Sequence, residues 1–253
     1  GTNALDACTT STSNTCIGQS AGGAITTGNG ENVCVGNNCG ALMTTGQQNV
    51  LMGDNAGAGG VITGASNTFV GDNSGYAHTT GSYNVAIGAG AGGASTTSGY
   101  NTVVGYNAGK AVTTGTSNTI IGEGAASAGA TYSSNVAVGR NALQNATAGD
   151  NTGVGRGAGS NITTGGNCTC LGYGSQASSA SSSNEITLGD SSISSLRCAD
   201  TSISSLSDRR DKTDIVDLPV GLEFINSLRA VKFKWQTREG TPSKDGTVRA
   251  GFI

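Results

Sequence analysis

A glycine closes a short apolar run every 16 to 18 residues through most of this chain, at Gly18, Gly36, Gly53, Gly71, Gly88, Gly105, Gly122, Gly139, Gly155, Gly172 and Gly189. The stretch Asn101-Thr-Val-Val-Gly-Tyr-Asn-Ala-Gly109 states the unit, and Gly1 fits as a fragment of one earlier turn. A fixed period of this kind is the signature of a solenoid, in which each unit buries its apolar face only against its neighbours. Composition agrees. With 43 glycines among 253 residues and 4% aromatics, there is too little large apolar material for an ordinary globular core.

The position before each glycine is always apolar, as in Ile17, Val35, Met52, Val70 and Ile87, and the position two earlier is Thr, Val or Ile. Alternate residues share a strand face and β-branched residues suit strands, so each turn is predicted to hold a short strand whose inner face is this pair, Thr102 and Val104 in the type repeat. Three residues after the glycine stands Ala, Ser or Cys, for example Ala21, Cys39 and Ala56, which implies a close backbone approach. An asparagine sits four residues before the glycine in nine of eleven turns and one place earlier in the last two, at Asn167 and Asn184. Side chains stacked in register bond along the axis, so this row is expected to be a structural ladder. The second half of each turn, with its recurrent Thr-Thr-Gly, reads as outward corners. Twelve turns at the inter-strand spacing make a rod roughly 55 Å long. One turn buries too little to offset the ordering of its own residues. A homo-oligomer is therefore expected, a trimer with the small-residue faces at its axis.

Several functions find no support. Net charge −3 provides no basic footprint for nucleic acid, and no run of 18 apolar residues is present to span a membrane. The seven cysteines, Cys8, Cys16, Cys34, Cys39, Cys168, Cys170 and Cys198, lack disulfide or zinc spacing and read as small buried hydrophobes. His78, the one histidine, is expected to be exposed beside a Thr-Thr corner. Asp54 and Asp72 repeat in adjacent turns, but calcium solenoids need an aspartate on most turns. No cofactor or metal is expected.

The Asn-Thr-x-Val-Gly-x-x-Ala-Gly pattern over residues 1–190 resembles the repeats of trimeric autotransporter adhesin heads and of phage and virus tail fibres. Its longer turn leans toward the fibres. The resemblance implies an extended, trimeric β-solenoid.

The period stops after Gly189, and residues 190–206 form a serine-rich connector. Residues 207–253 then hold 16 of the 29 charged groups, both prolines, the only tryptophan and three of four phenylalanines, which marks a domain boundary. Leu218-Pro219 opening into Leu222, Ile225 and Leu228 predicts a short helix. Val231, Phe233 and Trp235 alternate with lysines as a strand does, and Thr247 to Ile253 begins another. A small α+β domain, continuing past Ile253, is expected.

Ser207-Asp-Arg-Arg-Asp-Lys212-Thr-Asp-Ile215, the Val231-x-Phe233-x-Trp235 segment and Gly251-Phe-Ile253 together resemble the start of the intramolecular chaperone of endosialidase-type tail spikes, the S74 peptidase family. The resemblance implies that Ser207 attacks the peptide bond Leu206–Ser207, that Lys212 serves as its base, that trimer assembly positions the dyad, and that a further, largely helical region follows. A serine hydroxyl needs such a base, and a lysine serves only when its pKa is lowered, to which Arg209 and Arg210 would contribute. Such an enzyme turns over once, on itself.

The expected protein is thus the shaft of a virion tail fibre or spike involved in host attachment. Its expected partners are two further copies of itself, other tail proteins and a host surface receptor, for which a glycan is a candidate, with no nucleic acid and no membrane. A bacterial adhesin stalk is the alternative, and would lead to a membrane anchor instead of a chaperone. An ice-binding solenoid would need an unbroken threonine face, which residues 131–133 and 147–149 interrupt.

Overall fold

The computed structural model describes residues 1–27, 30–197, 230–233 and 249–252, the last two segments as backbone only. The chain divides into two compact units, Gly1–Leu196 and Arg197–Ile253.

The first unit is a parallel β-solenoid. Its strands are β1 Thr15–Ile17, β2 Val33–Val35, β3 Val50–Met52, β4 Thr68–Val70, β5 Val85–Ile87 and β6 Thr102–Val104. They continue as β7 Thr119–Ile121, β8 Val136–Val138, β9 Thr152–Val154, β10 Thr169–Leu171 and β11 Ile186–Leu188. All eleven lie side by side in sequence order in one sheet. The register keeps equivalent repeat positions level, as in Thr102↔Thr119, Val103↔Ile120 and Val104↔Ile121. Each turn bonds both neighbours: Thr102 N–H donates to the Asn118 carbonyl and Gly105 N–H to that of Ile87, both at 2.8 Å. No helix occurs among the described residues.

The reference glycine is demanded by the stacking. Gly105 has φ of 134°, and a Cβ there would lie 2.7 Å from the Gly122 carbonyl group, against backbone that cannot yield. The glycines meet their counterparts one level on across turns of 16, 17 and 18 residues alike.

The strands face the other way from the expectation. The middle residue points inward: Cys34, Leu51, Phe69, Ala86, Val103, Ile120, Ala137 and Cys170 are buried. The flanking pair, Thr102 and Val104 in the type repeat, lies on the outer face, exposed and half-buried. A three-residue strand in so thin a rod has room for one inward side chain, so the strict β-branched pair lines the surface instead. The small-residue row is also placed differently. Ala21, Cys39, Ala56, Ala91, Ala108, Ala125, Ala142 and Ala158 are 0% exposed in the single chain, so their close contacts are internal and leave nothing for an axis between chains.

The second half of the turn contributes core rather than only corners. Ile25, Met43, Ile62, Val112, Tyr132 and Ile162 are buried from that side and complete one continuous apolar cluster. Volume is conserved locally. In β9 the inward position is Gly153, and Leu143, at a corner that is glycine in most turns, fills the space: a Cβ on Gly153 would stand 2.8 Å from Leu143 Cγ.

In the second unit, β12 Ala230–Phe233 pairs antiparallel with β13 Arg249–Phe252, with Ala230 opposite Phe252. The predicted strands around Val231 and after Thr247 are present there. The helix predicted at Val220–Leu228 lies outside the described residues.

Candidate functional site

Two rows of polar groups run the length of the solenoid, and both serve the fold. Asn32, Asn49, Asn67, Asn84, Asn101, Asn118, Asn135 and Asn151 are buried. The Oδ1 of each accepts the backbone N–H of the residue one turn on, as Asn67 accepts from Asn84 at 3.0 Å. The Nδ2 crosses the turn to a carbonyl, Asn101 to Gly115 at 2.8 Å and Asn118 to Tyr132 at 3.1 Å. The expected ladder is there, except in its last two turns. Cys168 takes the ladder position, its N–H bonding Asn151 Oδ1 at 2.9 Å and its thiol the Ser182 carbonyl at 3.1 Å. Asn167 and Asn184 belong to the preceding row, which is left-handed in every turn, from Ser13 to Asn184 at φ of 56° to 62°. The threonines form a second row: Thr79, Thr96 and Thr113 each donate Oγ1 to a carbonyl one turn on, at 3.0 to 3.1 Å.

His78 is fully buried, contrary to its expected exposure. It occupies the row of Ile25, Met43 and Val112, so its place in the turn is a core place. Its Nε2 lies 2.8 Å from the Gly81 carbonyl, its ring meets Phe69 edge to face at 5.0 Å, and Nδ1 has no partner. Burial pushes its pKa below the ordinary imidazole value, with the Gly81 bond opposing.

Cys34, Cys39, Cys168 and Cys170 are buried and Cys8 and Cys16 half-buried, all as free thiols. The Cys34 thiol bonded to Cys16 lowers the Cys16 pKa, while that same bond and burial raise that of Cys34. Cys198 lies outside the described residues. Asp54 accepts a hydrogen bond from Asn37 at 3.0 Å and Asp72 one from Asn73 at 2.9 Å. Among the described residues no cluster of three or more metal-ligating side chains occurs, and no helix is long and apolar enough to cross a membrane.

Leu206, Ser207 and Lys212, the predicted cleavage junction and dyad, lie outside the described residues. What the structure adds is a pair of outward surfaces. One is the outer face of the sheet, where Ile17, Met52, Ile87, Ile121, Val154, Leu171 and Leu188 form an apolar stripe, 38% to 60% exposed, along its whole length. The other follows the reference glycine and changes from rung to rung. It carries Asp72, Ala89, Tyr106, Glu123, Arg140, Arg156 and Tyr173 at one repeat position, beside rows that scarcely change. That contrast between constant and varied positions was visible in the repeat alignment, but the face it marks required the fold.

No curated protein and no solved structure matches the chain. Residues 207–253 match the family model Peptidase_S74, the chaperone of endosialidase. The chain is therefore a parallel β-solenoid followed by a segment, residues 207–253, that is similar to the chaperone of endosialidase.

Proposed function

We propose that this chain is the shaft of a homotrimeric virion tail fibre or spike that takes part in host attachment and is matured by cutting away its C-terminal chaperone. The observation that carries the proposal is the union of an eleven-stranded parallel solenoid with an S74 segment whose match begins at Ser207. Parallel stacking builds most contacts between residues about a turn apart or more. Such a rod has no internal means of choosing its partner's register, and pairing of this kind is slow. A chaperone at one end would set chain number and register, and its removal would leave a product kinetically unable to retrace its assembly.

The apolar stripe supports association. Side chains of Ile, Val, Leu and Met recur at every level of an exposed face, which is unusual for a surface that meets only water. Copies in register would lay identical rows against each other, and this face, not the small-residue row, is where they would meet.

In the proposed cleavage, Ser207 Oγ attacks the Leu206 carbonyl carbon and passes its proton to a neutral Lys212 amine. The Lys212 ammonium returns that proton to the amide nitrogen as the Leu206–Ser207 bond breaks, so the Ser207 α-amine is freed and Leu206 is held as an ester on Oγ. Water then hydrolyses that ester, leaving a carboxylate on Leu206 and restoring the hydroxyl. Neutral lysine is required, since an ammonium cannot accept the proton.

The test is to express the chain extended through its complete C-terminal domain and weigh the products. Cleavage after Leu206 in the wild type, abolished by Ser207→Ala and by Lys212→Met, is expected. An intact wild-type trimer would overturn the self-processing reading.

A further inference from the structure

On the varied face, β4, β5 and β6 lead into a groove of about 580 Å³, a volume within the range of small-ligand sites. Tyr76 stands on one side and Tyr106 on the other, 44% and 60% exposed. They project from rungs two levels apart, roughly 9.6 Å by strand spacing. The rung between supplies a floor almost without side chains, including Ala89, Gly90 and Gly93. The gap has a local cause. In the row that holds Asn38, Asn55, Asn73 and Asn107, all left-handed, the intervening rung has Gly90 at φ of 68°. A Cβ there would approach Asn107 Oδ1 to 2.4 Å.

The groove's polar groups are of mixed kind. Asp72 and Lys110 lie at its two ends, and among the described residues the one ion pair, Arg140–Glu123, involves neither. Asn73 and Asn107 add amides that both donate and accept. Other exposed tyrosines differ. Tyr83 and Tyr100 stack on each other at 5.1 Å, and Tyr173 is covered by Arg156 at 4.5 Å. Among the described residues Tyr76 and Tyr106 stack on no other ring or cation; the Tyr76 ring packs close to Gly59, where a Cβ would meet it at 2.4 Å, and Tyr106 is the more exposed of the two.

We infer that this groove binds a short neutral oligosaccharide. A pyranose ring has apolar C–H faces and a rim of hydroxyls. The faces suit exposed tyrosine rings, which offer a rigid apolar surface with a polar tip. The hydroxyls donate to the Asp72 carboxylate and accept from the Lys110 ammonium, so each charge is used without a charged ligand. With one acid and one amine the groove has no net charge to select a polyanion. A protein segment would need main-chain partners, and most of the floor's backbone N–H and C=O groups are already paired, as Gly90 N–H is with the Asp72 carbonyl at 2.9 Å. The inference rests on the attachment reading for the source of such a sugar, and on geometry alone for its binding.

The experiment is calorimetric titration of the full chain with cellotetraose, maltotetraose, mannotetraose and chitotetraose, with 3′-sialyllactose as an anionic contrast. Binding of at least one neutral probe is expected. Tyr106→Ala and Tyr76→Ala should each weaken it at least tenfold. Gly90→Asn should do the same by refilling the floor, since asparagine holds this left-handed position in neighbouring rungs and the Asn38–Asn55 pair stacks there at 3.2 Å. Unchanged circular dichroism and melting of each variant would show the rod intact. No binding by any neutral probe, binding by sialyllactose alone, or affinity indifferent to all three variants would overturn the inference. Attachment of the chain to host cells that survives Tyr106→Ala would remove the groove from attachment while leaving that reading in place. Neutral-sugar binding lost in Tyr106→Ala, by a chain that attaches to no cell, would keep the groove and remove the attachment reading.

Discussion

The backbone N–H and the side-chain Nδ2 of Asn118 converge on one atom, the Oδ1 of Asn101, at 2.9 and 3.0 Å. Both residues are buried, so neither donor has water as an alternative. Asn101→Ala therefore strands the Asn118 backbone N–H, leaves Asn118 Nδ2 with only its bond to the Tyr132 carbonyl, and deprives the Gly115 carbonyl of its 2.8 Å bond. A buried group left unpaired costs about 1–3 kcal/mol, so a loss on the order of 3 kcal/mol is expected. Asn167→Gly should change stability by less than about 0.5 kcal/mol, because Asn167 is exposed and its φ of 56° suits glycine. Matched thermal unfolding of the two variants checks this, and equal effects would remove the ladder as a major source of stability.

The ladder, the period and the strands were legible because each repeats. A residue type that returns every turn must do the same thing at every level, and stacking is the simplest such thing. The direction of the strand was not legible. Thr102 and Val104 are more strictly apolar or β-branched than Val103, whose equivalents include Cys34, Phe69, Ala86 and Gly153. Invariance points to a core, yet a thin core tolerates volume exchange between rungs, as Leu143 and Gly153 show. On the proposed association, a face that meets copies of itself would have no such freedom. The Thr-Thr corner beside His78 points to the surface, but its repeat position is that of Ile25 and Ile162. The proposed cleavage site was legible only through its family motif, since neither Ser207 nor Lys212 lies in the periodic part.

If the apolar stripe is where copies meet, charge placed on it should separate them. Ile87 and Ile121 are each 40% exposed in the single chain, two rungs apart. Lysine there keeps its head in water and costs the isolated rod at most about 1 kcal/mol. In a trimer the double change Ile87→Lys/Ile121→Lys would bring six ammonium groups to one buried seam. Sedimentation should then show a trimer for the wild type and a monomer for the double variant, with the β-sheet dichroism of the rod retained. A variant that still sediments as a trimer would place the interface elsewhere.

His78 predicts how the rod responds to acid. Its imidazole is buried with Nδ1 unpartnered, and burial lowers its pKa below the ordinary value near 6.5. Between the folded and unfolded pKa values the unfolded chain binds a proton that the folded chain does not. Stability is therefore full above about pH 6.5 and falls as pH drops, by up to about 1.4 kcal/mol per pH unit, until the folded pKa is reached. Glu185, whose pKa is lowered by its hydrogen bonds to Ser178, acts in a separate window below its ordinary value of 4.5. Melting between pH 7.5 and 5.0 thus isolates the histidine. The wild type should lose melting temperature across that interval. His78→Ile, which places in this row the residue already present at Ile25 and Ile162, should be nearly flat and at least as stable at pH 5.0. A wild-type profile as flat as the variant's would mean that His78 accepts a proton inside the rod, which would require Nδ1 to find an acceptor there.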